Sequence, residues 1–418
     1  MREAAEVGIA GQSSRLRLAV AGVVGFLALG ALASVIGPTT PGMRARFGLD
    51  TSEGGWLLAA FSAGSALGVV AAGLLRRRRP AAGPLLTAGA ALMAAGCAAL
   101  PLVPDGVAAG GALLVAGIGF GVVDIVLNLT LARSFGTRGG AVLTALSAAF
   151  GLGAVVTPLV VGWTPADPRV PYWGCAAVAV ALLCLTAGLR LTPAAASEPD
   201  RARPDRTLAV VLSLALVLFC YVALEAGTAG WATTHLVATS SLTGGQASGA
   251  VAVFWLGLAA GRLAAAPLLL RYDPGAVVVA CATAAIGTAA LAAHAPAAVV
   301  AYGLTGLAIA PVFPAVVAWH AARVPTGRGA TRLFAAALAG PLVASPLIGL
   351  LTRETGVGSV PWALSGLALL TAAVAFSTRL LRAGRPSPTA GVAVGLGGAE
   401  DRPVRGRPPA GTGPAPRR

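Results

Sequence analysis

The sequence predicts an all-α integral membrane protein with twelve transmembrane helices in two six-helix pseudo-repeats and both termini in the cytosol. Only 11% of its 418 residues are charged and 56% are hydrophobic, whereas an ordinary soluble domain has about 25% charged residues. The mean hydropathy is +0.82, and 56 Gly and 29 Pro interrupt long apolar runs. Because a transmembrane helix needs about 20 apolar residues, twelve spans fit the chain. This composition argues against a soluble enzyme.

Apolar runs of the required length divide into two sets of six, separated by a polar stretch. They cover residues 18–37, 55–75, 83–102, 107–132, 141–163 and 172–191, then 208–236, 246–270, 276–293, 297–322, 333–351 and 360–380.

The polar stretch and the end of the chain complete the predicted domain organisation. Residues 192–206 contain three Pro and six charged residues, which is typical of a cytosolic linker. We therefore predict an N-terminal bundle at 1–191, the linker at 192–206 and a C-terminal bundle at 207–383. Residues 384–418 are rich in Gly, Pro and Arg and predict a disordered cytosolic tail.

The arginines predict the orientation of these spans. All 30 basic residues are Arg, and with the N-terminus inside, 25 of them fall in inner segments and 4 in outer loops. The remaining one, Arg262, lies within a span. This distribution follows the positive-inside rule and predicts a multi-pass protein of the cytoplasmic membrane. It also accounts for the net charge of +15 without a nucleic-acid partner.

The cysteines predict neither a disulfide framework nor a metal site. All five lie in apolar runs, with no CxxC pair and no His at ligand spacing. We expect no metal and no cofactor. The five are Cys97, Cys175, Cys184, Cys220 and Cys281.

Two segments of the first half recur in the second half. Four residues of the second span and its following loop return 193 positions later in the eighth. Two parallel six-span repeats are a transporter architecture, with the substrate site at the midplane between them. The matches are Phe61, Gly64, Gly68 and Arg78 with Phe254, Gly257, Gly261 and Arg271, and 157–159 (TPL) with 345–347 (SPL).

Three motifs resemble a known transporter family. The loop GLLRRRR (73–79) is similar to the signature of the major facilitator superfamily, with Arg77 in place of its Asp. GIGFGVVDIVLN (117–128) and SAAFG (147–151) resemble the fucose permease-like sugar:proton symporters, which carry an acid on the fourth span. The resemblance covers residues 18–380. It implies a proton-coupled secondary active transporter that works by alternating access, with sugar:proton symport as one activity.

Asp124 is the first candidate functional residue. A carboxylate within a membrane span usually faces a water-filled cavity and marks an ion or proton pathway. Asn128 lies four residues further on the same helix face. Because burial disfavours the charged form of a carboxyl group, we predict that Asp124 carries the proton and that Asn128 contributes to the substrate site. The alternative is a hydrogen bond from Asp124 to a neighbouring helix.

Glu225 is the second intramembrane acid and a further proton-coupling candidate. Tyr221 and Thr228 share its helix face, and the segment resembles the family's seventh span, in which a Glu is followed by a Trp. We predict substrate contacts for Tyr221, Thr228 and Trp231. Trp231 has the alternative role of an interface anchor, because it lies near the outer end of the span.

Arg262 is the third charged residue within a span, seven residues after Trp255 and on the same face. We predict that both contribute to the substrate site. Glu225 and Asp124 are the candidate partners of Arg262, in a pair that changes partners during transport, unless Arg262 holds an anionic substrate. A static salt bridge or a snorkelling side chain is the structural alternative.

Pro311 and Pro314 in the tenth span predict a bend, since proline frees backbone carbonyls within a helix. They flank the segment that resembles the family's Phe-Pro sequence. We predict a gating hinge, with a static kink as the alternative. The three His, at 235, 294 and 320, lie near span ends and receive no role.

Three other functions remain open. The first span has no acid, unlike that of fucose permease, and the region around Pro158 partly resembles the antiporter signature of drug exporters, so a proton-antiport drug or metabolite exporter is the main alternative. Asp50 and Glu53 in an outer loop imitate the paired acids of a membrane glycosyltransferase. A channel is disfavoured by two repeats with buried acids. The expected partners are a small-molecule substrate, protons and membrane lipid, for a monomer that is not an enzyme.

Overall fold

The computed structural model describes residues 2–77, 82–134, 139–164, 169–189, 206–324 and 330–383. Over these residues the chain forms α-helices and short 3-10 turns, and no strand. The helices are α1 (Arg2–Phe47), α2 (Thr51–Arg77), α3 (Ala82–Ala99), α4 (Gly106–Ser134), α5 (Gly139–Trp163), α6 (Arg169–Thr186), α7 (Arg206–Thr239), α8 (Gly244–Arg271), α9 (Pro274–Leu291), α10 (Ala298–Ile309), α11 (Val312–Arg323), α12 (Ala330–Thr355) and α13 (Val360–Ala383).

These helices confirm the prediction of an all-helical, multi-pass membrane protein. Eleven helical stretches of the described chain are long and apolar enough to cross a membrane, and α5 contributes a shorter apolar helix at Ala148–Trp163. Helices α10 and α11 belong to one such stretch, Ala295–Arg323. Each predicted apolar run therefore coincides with one helix or, in the tenth run, with two.

Several predicted features lie outside the described residues. They include the linker at 192–205, the tail at 384–418 and the arginines at 78 and 79. The predicted domain boundaries therefore stay predictions.

Glycines allow neighbouring helices to approach until their backbones touch. A Cβ on Gly64 would collide with the carbonyl oxygen of Leu114 in α4, and one on Gly68 with that of Ile118. Gly117 and Gly121 of α4 contact the α2 backbone in return. Such contacts are typical of membrane helices, where small residues permit dense packing.

The same arrangement occurs between α8 and α10. A Cβ on Gly257 would collide with the carbonyl oxygen of Gly303, and one on Gly306 with that of Phe254. The other pairings also match between the two sets of helices. In the first set α1 packs on α5 and α6, and in the second set α7 packs correspondingly on α12 and α13. In the same way α3 packs on α6, and α9 packs on α13.

The first six helices meet the later ones mainly through α1 with α7, α2 with α12 and α5 with α8. These contacts include three close backbone approaches. Gly37 of α1 meets Ala229, Gly55 of α2 meets Ser345, and Gly162 of α5 meets Gly245. All three lie where α1, α5 and α7 end and α2 and α8 begin. We call this the closed end of the bundle.

The opposite end, where α1 and α7 begin, is open between the two sets of helices. Val20 lies five helical turns before Pro38 and so on the same face of α1, yet it is 42% exposed whereas Pro38 is buried. Leu212 of α7 stands in the same relation to Gly230 and is 53% exposed. We infer that the two sets of helices part toward this end, which we call the open end, and that the space between them forms a cavity.

We expect Gly68→Ala to destabilise the bundle, because its methyl group must displace the α4 backbone. Overpacking of this kind costs about 1–3 kcal/mol, which corresponds to a melting temperature lower by a few degrees. Gly73→Ala is the matched control, since nothing lies within 4 Å of a Cβ at Gly73 on the same helix. Thermal unfolding of the purified proteins in detergent measures both, and equal melting temperatures would contradict the packing described here.

Candidate functional site

Asp124 and Asn128 form a hydrogen-bonded pair on α4. The Asn128 Nδ2 atom donates to Asp124 Oδ1 and to the Asp124 carbonyl oxygen, each at 2.9 Å. Both side chains are half-buried. The two side chains share a helix face as predicted, and the hydrogen bond that the Asp124 carboxylate accepts comes from its own helix.

The helix contacts of α4 turn Asp124 toward the cavity. Gly121 packs on α2, Leu127 packs on Gly25 of α1, and Gly119 packs on α3. Asp124 lies on the face between the first two contacts and away from the third. Its carboxyl group thus points between α1 and α2 into the bundle.

Among the described side chains, Asp124 has no cationic partner. Three ion pairs join described residues, and none of them includes this carboxylate. They are Arg262 with Glu225, Arg353 with Asp50 and Arg379 with Asp273. Asn128 is therefore the polar group that the structure places on Asp124.

Glu225 and Arg262 form an ion pair between α7 and α8. The Arg262 Nη2 atom lies 3.3 Å from Glu225 Oε1. The Arg262 guanidinium carbon also lies 5.7 Å from the ring centroid of Phe150 in α5, within the range of a cation–π contact. Of the two predicted partners of Arg262, the structure selects Glu225.

Aromatic side chains surround this ion pair. Trp255 of α8 packs edge-on against Phe150, with 6.2 Å between the ring centroids. Tyr221 lies beside Glu225 and Arg262 and 6.3 Å from the ring of Phe313. The Tyr221 hydroxyl faces both groups of the ion pair, and the Trp255 Nε1 atom nearby is buried. Two hydrogen-bond donors therefore border the ion pair.

Thr228 and Trp231 lie further toward the closed end of α7. The Thr228 hydroxyl donates to the carbonyl oxygen of Leu224 at 2.8 Å. Trp231 is fully buried and packs between Gly55 of α2 and Gly349 of α12. The structure thus places Trp231 in the contact that closes this end of the bundle, whereas its predicted role in substrate binding stays a prediction.

Pro311 and Pro314 lie where the tenth apolar run is interrupted. Helix α10 ends at Ile309, and α11 begins at Val312 with Pro311 as its N-cap residue. Phe313, between the two prolines, packs on Tyr221. The helix is therefore interrupted at the predicted prolines, beside the ion-pair cluster, whereas the bend and its role as a gate stay predictions.

Asp50 and Glu53 form a reciprocal cap at the start of α2. The Glu53 N–H donates to Asp50 Oδ1 at 2.8 Å, and the Asp50 N–H donates to Glu53 Oε2 at 2.7 Å. This is a capping-box arrangement. Hydrogen bonds from the Glu53 N–H and the Ser52 hydroxyl lower the pKa of Asp50. The cap gives both acids a structural role at the start of α2.

Sequence reasoning missed two features. His235 is buried, and its Nδ1 atom lies 2.9 Å from the Tyr302 hydroxyl of α10. No sequence signal links these two residues. The second feature is the contact of Phe150, in the SAAFG segment, with Arg262. An aromatic residue in mid-span opposite a lone arginine is a sequence signal for a cation–π contact. No group of three His, Cys, Asp or Glu converges within the described ranges.

Comparison with known proteins identifies the family. Residues 22–237 match the profile of the Major Facilitator Superfamily. An uncharacterised MFS-type transporter of Yersinia pestis is 27% identical over 276 residues, which are 63% of this chain and 67% of that protein.

Two solved structures share the fold. The nucleoside transporter NupG superposes with a TM-score of 0.73 and 14% identity, covering 88% of this chain and 100% of that one. The fucose:proton symporter FucP from E. coli superposes with a TM-score of 0.59 and 16% identity, covering 86% of this chain and 98% of that one. Since the family match spans more than half of the sequence, the chain belongs to the major facilitator superfamily.

Proposed function

We propose that this chain is a proton-coupled secondary active transporter that moves a small molecule by alternating access, with Asp124 as the proton carrier. The observation that carries the proposal is a carboxyl group in a membrane-crossing helix with an amide but no cationic partner among the described side chains. Charged groups in such positions are costly, and they mark proton and ion pathways.

The surroundings of Asp124 make its charge depend on access to water. While the cavity is open, water solvates the carboxylate together with the Asn128 amide. When the cavity closes, loss of water favours the neutral, protonated form. A group that takes up a proton before closure and releases it on the other side couples proton movement to the conformational cycle.

The helix arrangement supports alternating access. The glycines of α2 that recur in α8 make equivalent backbone contacts with α4 and α10, as expected of two related six-helix units. These units meet at the closed end and part at the open end. We propose that they rock about the central site, with the hinge between α10 and α11 adjusting the tenth span.

The pair of Glu225 and Arg262 joins this cycle. Arg262 contacts Glu225 in α7 and Phe150 in α5, so it bridges the two units at mid-span. Protonation of Glu225 would weaken the ion pair, so that Arg262 would keep its cation–π contact with Phe150 but lose most of its attraction to Glu225. We therefore propose Glu225 as a second proton-coupling residue, with Tyr221, Trp255 and Arg262 around the substrate.

The orientation and the substrate complete the proposal. From the arginine distribution we propose that the open end, with both termini, lies in the cytosol and that the chain, as a monomer, lies in the cytoplasmic membrane. The resemblance to fucose permease makes a symported sugar the first candidate substrate. A proton-antiport exporter is the second candidate, because Asp124 has no cationic partner among the described side chains and can accept a cation in place of a proton.

We expect Asp124→Asn to abolish substrate-dependent proton movement, since an amide cannot take up a proton at neutral pH. The external pH of lightly buffered, de-energised cells is recorded after addition of sugars and then of cationic drugs. Asp105→Asn is the control, because Asp105 caps the same helix at its exposed end and Asn also caps helices well. Proton movement in Asp124→Asn equal to that of the wild type would refute the assignment.

We expect Gly37→Val to hold the closed end apart, because its side chain would collide with the Ala229 carbonyl of α7. Spin labels on Pro104→Cys and Gly358→Cys, in a cysteine-free background, report the distance across this end. Gly42→Val is the control on the same helix, since a Cβ at Gly42 meets nothing within 4 Å. The Gly37 variant should show a longer distance and lose transport, and an unchanged distance would count against closure by this contact.

We expect Glu225→Gln and Arg262→Gln each to lower the free energy of unfolding by about 1–2 kcal/mol, because each leaves a partly buried charge without its partner. The double variant should lose less than the sum. The exposed pair of Asp50 and Arg353 is the control, with coupling of about 0–1 kcal/mol. Additive losses at Glu225 and Arg262, measured by chemical denaturation in detergent, would show that the ion pair is not formed.

A further inference from the structure

We propose that the central site takes an organic cation with an aromatic or bulky apolar body, which exchanges with the proton on Asp124. This inference rests on the proposed proton exchange at Asp124, takes the antiport candidate of the proposed function and assigns its substrate class. It makes the chain a proton antiporter that exports the cation.

The charges of the site favour a cation. The described membrane-crossing segments hold two acids and one arginine at mid-depth, and Arg262 is already paired with Glu225 at 3.3 Å. Asp124 is left as the uncompensated charge. An anionic substrate would have to displace Glu225 from Arg262 and leave that carboxylate unpaired, whereas a cation neutralises Asp124 and leaves the ion pair intact.

No described group competes for Asp124 from the helices packed on α4, which are α1, α2, α3 and α5. Arg17 of α1 donates to the last carbonyl groups of α6, and Arg44 and Arg46 lie at the closed end. Glu53 of α2 lies in the cap at the start of its helix, and Cys97 of α3 is buried near the closed end. The described part of α5 has no titratable side chain.

An aromatic pair lies one helical turn from Asp124. Phe120 precedes Asp124 by four residues on the same face of α4. Its ring packs edge-on against Phe61 of α2, with 5.3 Å between the centroids. Both rings are half-buried. A carboxylate beside aromatic faces suits a cation with apolar substituents, because the rings contribute both apolar contact and cation–π attraction.

Amide side chains, which can both donate to and accept from a hydroxyl group, are scarce in this chain. The chain contains one Asn and two Gln. Asn128 is already bonded to Asp124, Gln246 caps α8 at the closed end, and Gln12 lies where no side chain is described. Each hydroxyl of a bound sugar needs a hydrogen-bond partner. The scarcity of amides and the phenylalanine rings beside Asp124 therefore favour an amphipathic cation over a sugar.

Exchange at one carboxyl group produces antiport directly. The carboxylate binds the cation at the cytosolic opening after its proton leaves to the cytosol, and it releases the cation on the other side as a proton binds. The site is neutral with either the cation or the proton bound. Both loaded forms of the protein can therefore pass through the closed conformation at low electrostatic cost. By linkage, the cation and the proton weaken each other's binding by the same factor.

Binding to the purified full chain in detergent tests this inference. The probes are tetraphenylphosphonium and ethidium, with D-xylose and uridine as neutral comparisons and 1-naphthoate as an anion. We expect both cations to bind to the wild type and to release a proton on binding. Over the acidic range in which Asp124 is protonated, their apparent affinity should fall by about tenfold per pH unit.

Variants separate charge from aromatic contact. Asp124→Asn should lose the pH dependence and the proton release. Phe120→Leu should weaken cation binding by about three- to tenfold, with the pH dependence retained. Phe376→Leu is the matched control, because Phe376 is 51% exposed on α13, and it should bind as the wild type does.

Three outcomes would overturn the inference: absence of binding of both cations to the folded wild type, binding that is independent of pH, and binding unchanged in Asp124→Asn. Proton-coupled flux of a sugar or nucleoside in proteoliposomes, without cation binding, would overturn this substrate class and leave the proposed function standing. Absence of proton-coupled flux for every probe, despite cation binding that depends on Asp124, would refute the proposed function itself.

Discussion

Helices that cross a bilayer gain little by burying apolar side chains against each other, because the lipid is equally apolar, so close packing has to hold them together. In this chain glycine supplies that packing. Contacts such as Gly68 on Ile118 and Gly257 on Gly303 bring backbones together within each set of helices. A smaller number, including Gly37 on Ala229, join the two sets at one end. Because these contacts stop at mid-span, the two sets of helices part beyond it. The polar residues of α4, α7 and α8 lie along the resulting cavity.

Because the surroundings are apolar, each charged group in the cavity has a large effect on the electrostatic energy of the site. Glu225 and Arg262 neutralise each other, and the stacking of Arg262 on Phe150 ties their pair to the other set of helices. Asp124 has the Asn128 amide alone among the described side chains. One acid is thus stabilised by a fixed partner and the other depends on what enters the cavity. This difference is the physical basis for assigning proton exchange to Asp124 and a bridging role to the ion pair.

The helices could be predicted because membrane thickness sets the length of an apolar run, and the break before Val312 followed from Pro311 and Pro314. The beginning of α1 could not, because hydropathy locates the apolar part of a helix at residue 18 but not its start at Arg2. Arg262 had two candidate acids, and only the rotation of α7 and α8 about their axes selects Glu225. The contact of His235 with Tyr302 and the closure around Trp231 depend on such rotations, which one sequence does not encode locally.

Infrared difference spectroscopy of the purified protein tests the central claim most directly, since the C=O stretch of a protonated carboxyl group can be followed in ¹³C-aspartate-labelled protein as pH is varied. Among the aspartic acid bands that appear on acidification, the account predicts one at the high frequency of a carboxyl group in apolar surroundings, which is missing from Asp124→Asn but present in Asp105→Asn. The same band in Asp124→Asn would contradict the assignment of proton exchange to this residue.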